Sequence, residues 1–384
     1  MMRYLFDVFV SKKVEILIGF LLFVVLFNNQ VANIVLFFLF LTLVSDKRSY
    51  QFKLTNAVII TIVFFLYLIL RESFHFEKKG IDYIVRLIPI LLLAISLGLY
   101  EFRYCQIKFI THALILINYI FYISAIFFGI YLYLLNSSNN VLLDFSYYQW
   151  VVAVKFDFHP PYWGVFIVLS FIVVIRNKTV PNLKKIIFGI FTFFFLFLLS
   201  SRTAILAIIS VVLLEFICNR LIKKRAKIFM LVSFVIAILA LSLYPSYLSK
   251  KITDNSGFQE RVRLWSSAYE AFEENYLVGS SVPQGESLIR QFYNFKDAEK
   301  KNFDPHNQFL FFIVNYGIIG LSLFLVLLFY RESYSLAFIM FLIATVLSFT
   351  TESVLNRQMG VIIFAVFLNI INNSSFNKIA TLKT

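Results

Sequence analysis

The stretch Asp304-Pro305-His306-Asn307-Gln308-Phe309-Leu310, followed by an apolar run broken by Gly317 and Gly320, decides how this chain is read. A long polar segment ends here, and a run long enough to cross a bilayer begins. The histidine and asparagine at that junction have water on one side and the bilayer surface on the other. This is a position for polar chemistry on a substrate that itself sits at the membrane surface.

Working outward, the same alternation of apolar runs and short polar breaks fills the chain. Of its 384 residues 60% are hydrophobic and 48 are Phe, and mean hydropathy is +0.83. A soluble domain averages about 45–50% apolar. A bilayer span needs roughly 20 residues, and the runs lack the two-residue alternation of barrel strands. The reading is an all-α polytopic membrane protein, a single integral membrane domain over 1–384. Its twelve expected spans are 14–27, 31–44, 54–70, 83–100, 109–135, 161–175, 186–200, 203–219, 228–244, 307–329, 334–350 and 359–371. The run Val14–Phe27 has no small-residue cleavage site after it and reads as a first helix, not a signal peptide.

The net charge of +14 is not a nucleic-acid footprint, because the cations lie in short loops. Lys12 and Lys13, Arg48 and Lys53, Arg103 and Lys108, Lys184 and Lys185, and Arg220 to Lys227 fall on one side. Arg71, Lys78, Lys79 and Lys155 fall on the other. By the positive-inside rule both termini are cytoplasmic and segment 245–305 is extracytoplasmic. Within that segment Val262, Leu264, Trp265, Ala268, Tyr269 and Phe272 have the spacing of an amphipathic helix. Cys105 and Cys218 lie outside it, so no disulfide framework holds it. There is no Walker loop, dinucleotide fingerprint or metal-ligand cluster, so no cofactor and no metal are expected.

Several polar residues fall on the extracytoplasmic side. Arg202 opens a span beside Ser201 and Thr203, a setting that suits an anion at a helix N-terminus as well as a snorkelling side chain. Arg261 and Arg263 precede Trp265. Guanidinium groups clamp phosphates through two parallel bonds, and spacing alone does not separate that role from a solvated helix face. His306 is of a residue type that titrates near neutrality and suits proton transfer, or simply caps the next helix. His159, before Pro160 and Pro161, fits a helix start or a second polar mouth. Arg86 and Glu352 join the same side: Arg86 either joins an outer cationic pocket or pairs with Asp82 or Glu352, and Glu352 balances or orients the cations. Convergence of these groups would make a site for a polyanion beside a proton acceptor, with phosphate-bearing lipids as the natural ligand.

These features resemble the O-antigen ligase and O-antigen polymerase family of bacterial envelope glycan enzymes. The resemblance is most specific over 186–329. It rests on Ser201-Arg202, the basic turn 219–227, Arg261-Val262-Arg263-Leu264-Trp265, and His306-Asn307-Gln308-Phe309-Leu310 with Gly317-Ile318-Ile319-Gly320. His159-Pro160-Pro161-Tyr162 adds to it. The chain departs from the pattern at Gly279-Ser280-Ser281, where Gly-x-Gly is usual, and at Asn315-Tyr316, where an acidic residue often stands. The resemblance implies metal-independent, inverting transfer of an undecaprenyl-diphosphate-linked glycan at the outer face of the inner membrane. In that reading Arg202 and Arg261 stabilise the leaving diphosphate, with Arg263 as the second choice, and His306 accepts the acceptor hydroxyl's proton. Arg86, His159, Glu352, Asn307 and Trp265 contribute to substrate binding. The acceptor is another lipid-linked repeat unit in a polymerase or lipid A–core in a ligase, and a chain-length regulator is an expected partner. Two other readings stay open: a flippase or exporter of lipid-linked oligosaccharide, and a peptidoglycan-polymerising glycosyltransferase. A flippase calls for repeated halves or charges along a membrane path, whereas the polar groups here gather on one side. A peptidoglycan polymerase calls for a catalytic acid in the large loop.

Overall fold

The computed structural model describes residues 12–46, 55–135, 160–199, 201–218, 256–293, 303–331 and 334–381. The described residues are helical, without a strand. In chain order the helices are α1 (Lys13–Val24), α2 (Asn29–Ser45), α3 (Asn56–Ser73), α4 (Lys78–Ser96) and α5 (Tyr104–Leu135). Then come α6 (Pro160–Arg176), α7 (Asn182–Leu199), α8 (Arg202–Cys218), α9 (Ser256–Glu274) and α10 (Val282–Phe292). The chain closes with α11 (Gln308–Phe329), α12 (Leu336–Thr351), a 3₁₀ turn Val354–Asn356, α13 (Gln358–Asn372) and α14 (Ser374–Thr381).

Among the described residues four helices are long and apolar enough to cross a membrane: Asn56–Ser73, Tyr104–Phe127, Asn182–Leu199 and Gln308–Phe329. Shorter apolar helices lie at Asn29–Ser45, Pro160–Arg176, Leu336–Thr351 and Gln358–Asn372. The span expected at 228–244 falls outside the described residues, as do His159 and the basic turn 219–227.

The chain divides into two compact units. The first comprises 1–110, 258–335 and 349–384; the second comprises 111–257 and 336–348. In the first, α4 packs against α13, α3 and α2, and α3 packs against α11. Helix α13 is apolar all round, and every residue from Met359 to Ile371 is buried, which is what a helix without a polar face must do. Outward-facing Ile34, Phe37, Phe38 and Leu41 on α2 are exposed, as suits a helix that meets lipid. Asn28 starts α2 by accepting from the Gln30 and Val31 amides at 2.9 and 3.1 Å.

In the second unit α6, α7 and α8 pack together. A Cβ on Gly164 would stand 2.5 Å from the Ala204 Cβ, so α6 and α8 touch at backbone distance there. Two polar pairs tie this unit together: Asn177 Nδ2 donates to Thr111 Oγ1 at 2.7 Å, and Arg176 meets Glu215 at 2.9 Å.

Among its described residues the polar segment before α11 contains a second helix besides the expected one. Helix α9 buries Leu264, Ala268 and Ala271, a helical i, i+4, i+7 stripe, against Ile289, Phe303 and Val314. Val262 and Tyr269, expected on the apolar face, are exposed. Helix α10 was not legible because its apolar content is low and Pro283 and Gly285 sit in its first turn.

Candidate functional site

The turn before α11 gathers side chains from five segments of the first unit. Asp304 and Asn307 build it. Asp304 Oδ1 accepts the His306 amide at 2.8 Å, and Asn307 Oδ1 accepts the Phe309 and Leu310 amides at 2.9 and 3.1 Å, capping α11. Held between these two local bonds, His306 adopts a left-handed backbone with φ of 49°. That conformation is uncommon outside glycine and is kept only where the surroundings demand it.

Glu352, at the end of α12, joins the charges. Its Oε1 accepts from Arg261 Nη2 at 2.8 Å and its Oε2 faces His306 Nδ1 at 3.4 Å. The carboxylate side chain is 9% exposed, against 35% for Arg261 and 43% for His306. A nearly buried carboxylate must be paired to stay ionised, and here two partners share it. The hydrogen bond to Glu352 holds the imidazolium and raises the His306 pKa above its ordinary value; burial opposes this and the nearby Asp304 carboxylate adds to it. A carboxylate accepts at Nδ1, so in the neutral ring the proton sits on Nδ1 and Nε2 carries the lone pair.

Neighbouring bonds fix the frame. Trp265 Nε1 donates to the Pro305 carbonyl at 2.9 Å, tying α9 to the turn. Asn307 Nδ2 reaches the Thr350 carbonyl at 3.2 Å. Asp304 also accepts from Ser353 Oγ, and from Asn356 Nδ2 at 2.6 Å. Arg86 donates to the Asn356 carbonyl, where Asp82 or Glu352 was the expected partner. Gln308 Oε1 accepts the Leu355 amide at 2.7 Å.

Six of the residues singled out in the sequence therefore stand in one network: Arg86, Arg261, Trp265, His306, Asn307 and Glu352. Arg263 is two residues beyond Arg261 on α9, about 200° around the helix, and is exposed. Arg202 opens α8 in the second unit, exposed in its first turn behind the buried Ser201. Asp304, Ser353, Asn356 and Gln308 complete the network without having been singled out. Their common signal, short polar side chains clustered at helix ends, is too ordinary to find them.

A second construction lies inside α11. At Gly317 the helix breaks, with φ of 66° and ψ of −169°, a combination essentially reserved for glycine. In an unbroken helix the Ile318 and Ile319 amides would bond the Val314 and Asn315 carbonyls. Instead they donate to the Tyr276 and Leu277 carbonyls at 2.9 and 3.2 Å, and the freed carbonyls accept from Ser280 and Ser281 at 2.9 and 3.0 Å. The segment after α9 thus replaces two lost rungs with four bonds. The C-terminal end of α3 clasps its other side. Arg71 donates to the Val278 and Gly279 carbonyls, Tyr67 to Tyr316 and Val278, and Glu72 accepts the Val282 amide at 3.1 Å. The departure Gly279-Ser280-Ser281 falls in this clasp: a Cβ on Gly279 would stand 2.3 Å from the Tyr316 nitrogen.

Residues 187–325 match the O-antigen ligase family model. The match covers α7 to α10 and most of α11, including Arg202, Arg261 and His306, and nearly coincides with the 186–329 region read from motifs. Arg86 and Glu352 lie outside it. No curated protein matches the chain. With its apolar helices, the chain is a membrane protein whose residues 187–325 are similar to that family.

Proposed function

We propose that this protein is a glycosyltransferase of the bacterial inner membrane that polymerises undecaprenyl-diphosphate-linked repeat units at the outer face, with twelve spans and cytoplasmic termini. The observation that carries this reading is the Arg261–Glu352–His306 arrangement, a cation and an oriented base sharing one carboxylate.

The chemistry follows from it. His306 Nε2 takes the proton of the acceptor hydroxyl as its oxygen attacks the anomeric carbon. The bond from that carbon to the diphosphate breaks, the centre inverts, and the diphosphate leaves with the electron pair. Preorganised cations aimed at the leaving group lower the barrier. Arg261 keeps further N–H donors besides the one engaged by Glu352, and the resemblance gives Arg202 the same task at the start of α8. Glu352 holds the ring and the guanidinium, a positioning role.

A second reading is transfer of the same glycan to lipid A–core, favoured by the description of the matching family as O-antigen ligase. Both readings use one donor and one base and differ only in the acceptor.

The test is transfer in vitro from a lipid-diphosphate glycan, with donor binding measured in parallel. His306→Ala lowers turnover by about 10²–10⁴-fold, the usual contribution of a general base, and leaves donor binding near wild type. Arg202→Ala abolishes extension, and Arg202→Lys keeps part of it because ammonium lacks the planar fork. Wild-type turnover in His306→Gln, which keeps hydrogen bonding without basicity, sinks the assignment. Extension of lipid-linked acceptor, or transfer to lipid A–core, separates polymerase from ligase.

A further inference from the structure

Beside the turn lies a cleft of about 240 Å³ that shares Arg86, Asp304, Pro305 and Asn356 with the network above. Its walls come from α4, α10, the segment Phe303–Pro305, the first turns of α11, and Asn356. Sites for drug-sized ligands measure about 300–1,000 Å³, so this one suits a single ring.

Its chemistry is specific. Two cations, Lys79 and Arg86, stand with two carboxylates, Glu286 and Asp304. Lys79 and Glu286 pair at 2.9 Å on the rim. The balance of charge disfavours a diphosphate, which calls for an excess of cations. Two amides add acceptors. Asn315 is 3% exposed; its Nδ2 donates to the Phe311 carbonyl at 2.7 Å, but its Oδ1 has no hydrogen-bond partner. Asn356 Oδ1 is likewise buried and unmatched. Buried polar oxygens are nearly always satisfied, and two unmet acceptors lining one cleft mark where a ligand donates. Gly285 admits the Asn315 amide: a Cβ there would stand 2.1 Å from Oδ1. Tyr83 and Phe311 supply aromatic rings on which the C–H face of a sugar can rest. Hydroxyl-rich rings need this mixture of acceptors, donors and flat apolar surface, and neither a phosphate nor an acyl chain does.

We propose that this cleft is a carbohydrate subsite that seats one neutral sugar ring of the acceptor, with Asn315 Oδ1 and Asn356 Oδ1 accepting from its hydroxyls. The assignment to the acceptor rests on the glycosyl-transfer reading above. Asp304 forms a wall of the cleft and binds the amide of His306, so the cleft adjoins the turn that carries the base.

The experiment titrates the full-length protein in detergent with the methyl glycoside of the terminal sugar of the host polysaccharide, by calorimetry. It also varies acceptor and donor separately in the transfer assay. Asn315→Leu weakens glycoside binding and raises acceptor KM about tenfold, the scale of a hydrogen bond lost from a polar site, with kcat within about twofold; Asn356→Ala also weakens glycoside binding and raises acceptor KM, and lowers kcat as well because its amide no longer holds Asp304. Asn315→Asp, which keeps the acceptor oxygens, retains binding, and this guards against a variant that only misfolds. Glycoside binding unchanged in both Asn315→Leu and Asn356→Ala overturns the subsite, as does a fall in kcat with KM unmoved. A rise in donor KM alone overturns the assignment to the acceptor. Glycoside binding needs no transfer, so its dependence on Asn315 in a protein without transferase activity would reject the enzyme reading and keep the sugar site.

Discussion

The two ends of the first half of α11 are built in opposite ways. At its start, around His306, the structure is made by side chains: a carboxylate turn, an asparagine cap, and Glu352 between a guanidinium and an imidazole. At its end, around Gly317, the structure is made by backbone: four main-chain bonds to the segment after α9 and a glycine where a Cβ would meet the Leu277 carbonyl oxygen at 2.2 Å. The first arrangement can change charge and accept a proton. The second leaves no backbone group unpaired in apolar surroundings. The base stands just before the helix, and the interruption follows about three turns later at Gly317.

This contrast breaks most severely at Glu352. Glu352→Gln removes the anion that raises the His306 pKa. The base acts when neutral, so wild-type activity is lost as pH falls through a midpoint above the ordinary histidine value. In the variant that acid limb moves to lower pH, and turnover falls about tenfold to hundredfold because the ring loses its orienting partner. A pH–rate profile measures both, and a fixed acid limb would detach Glu352 from the base.

At the other end Gly317→Ala attacks backbone alone. The glycine-only conformation is expected to cost about 1–3 kcal/mol, and the Leu277 carbonyl must also move. The variant unfolds at lower temperature in detergent while its acid limb stays in place. An acid limb shifted along with stability would show that the two constructions are not separable.

Trp265→Phe is milder. It deletes the donor to the Pro305 carbonyl and is expected to cost about 0.5–1.5 kcal/mol, the net worth of one hydrogen bond. Its effect on turnover exceeds its effect on stability if the turn, not α9, is what the indole secures.

Least disruptive is labelling. Cys105 and Cys218 are exposed, and the charge rule puts them on the cytoplasmic side. A reagent that cannot cross the membrane leaves both unmodified in intact cells and modifies Glu273→Cys, whose position on α9 is exposed. The opposite pattern inverts the topology and places the His306 network in the cytoplasm.

The helical membrane class was legible because hydropathy is a local, additive property: a run of apolar residues needs no knowledge of its neighbours to be recognised. Arg261, Trp265, His306, Asn307 and Glu352 were legible for a related reason. A charged or ring-bearing side chain at the end of an apolar run is costly, so each stands out against its background. Arg71 and Glu72 did not stand out, because in sequence they are simply the polar end of a span. Only the fold sets their side chains against the segment 278–282.

By itself, the sequence determined composition, the order of apolar segments and the residue types able to carry charge. The tertiary structure decided which of those charges meet. Glu352 reaches Arg261 and His306 across 91 and 46 residues, and the break at Gly317 is tolerable only because Tyr276 to Ser281 supply the missing partners. Both depend on distances between segments far apart in the chain, and such distances follow from packing and not from local propensity.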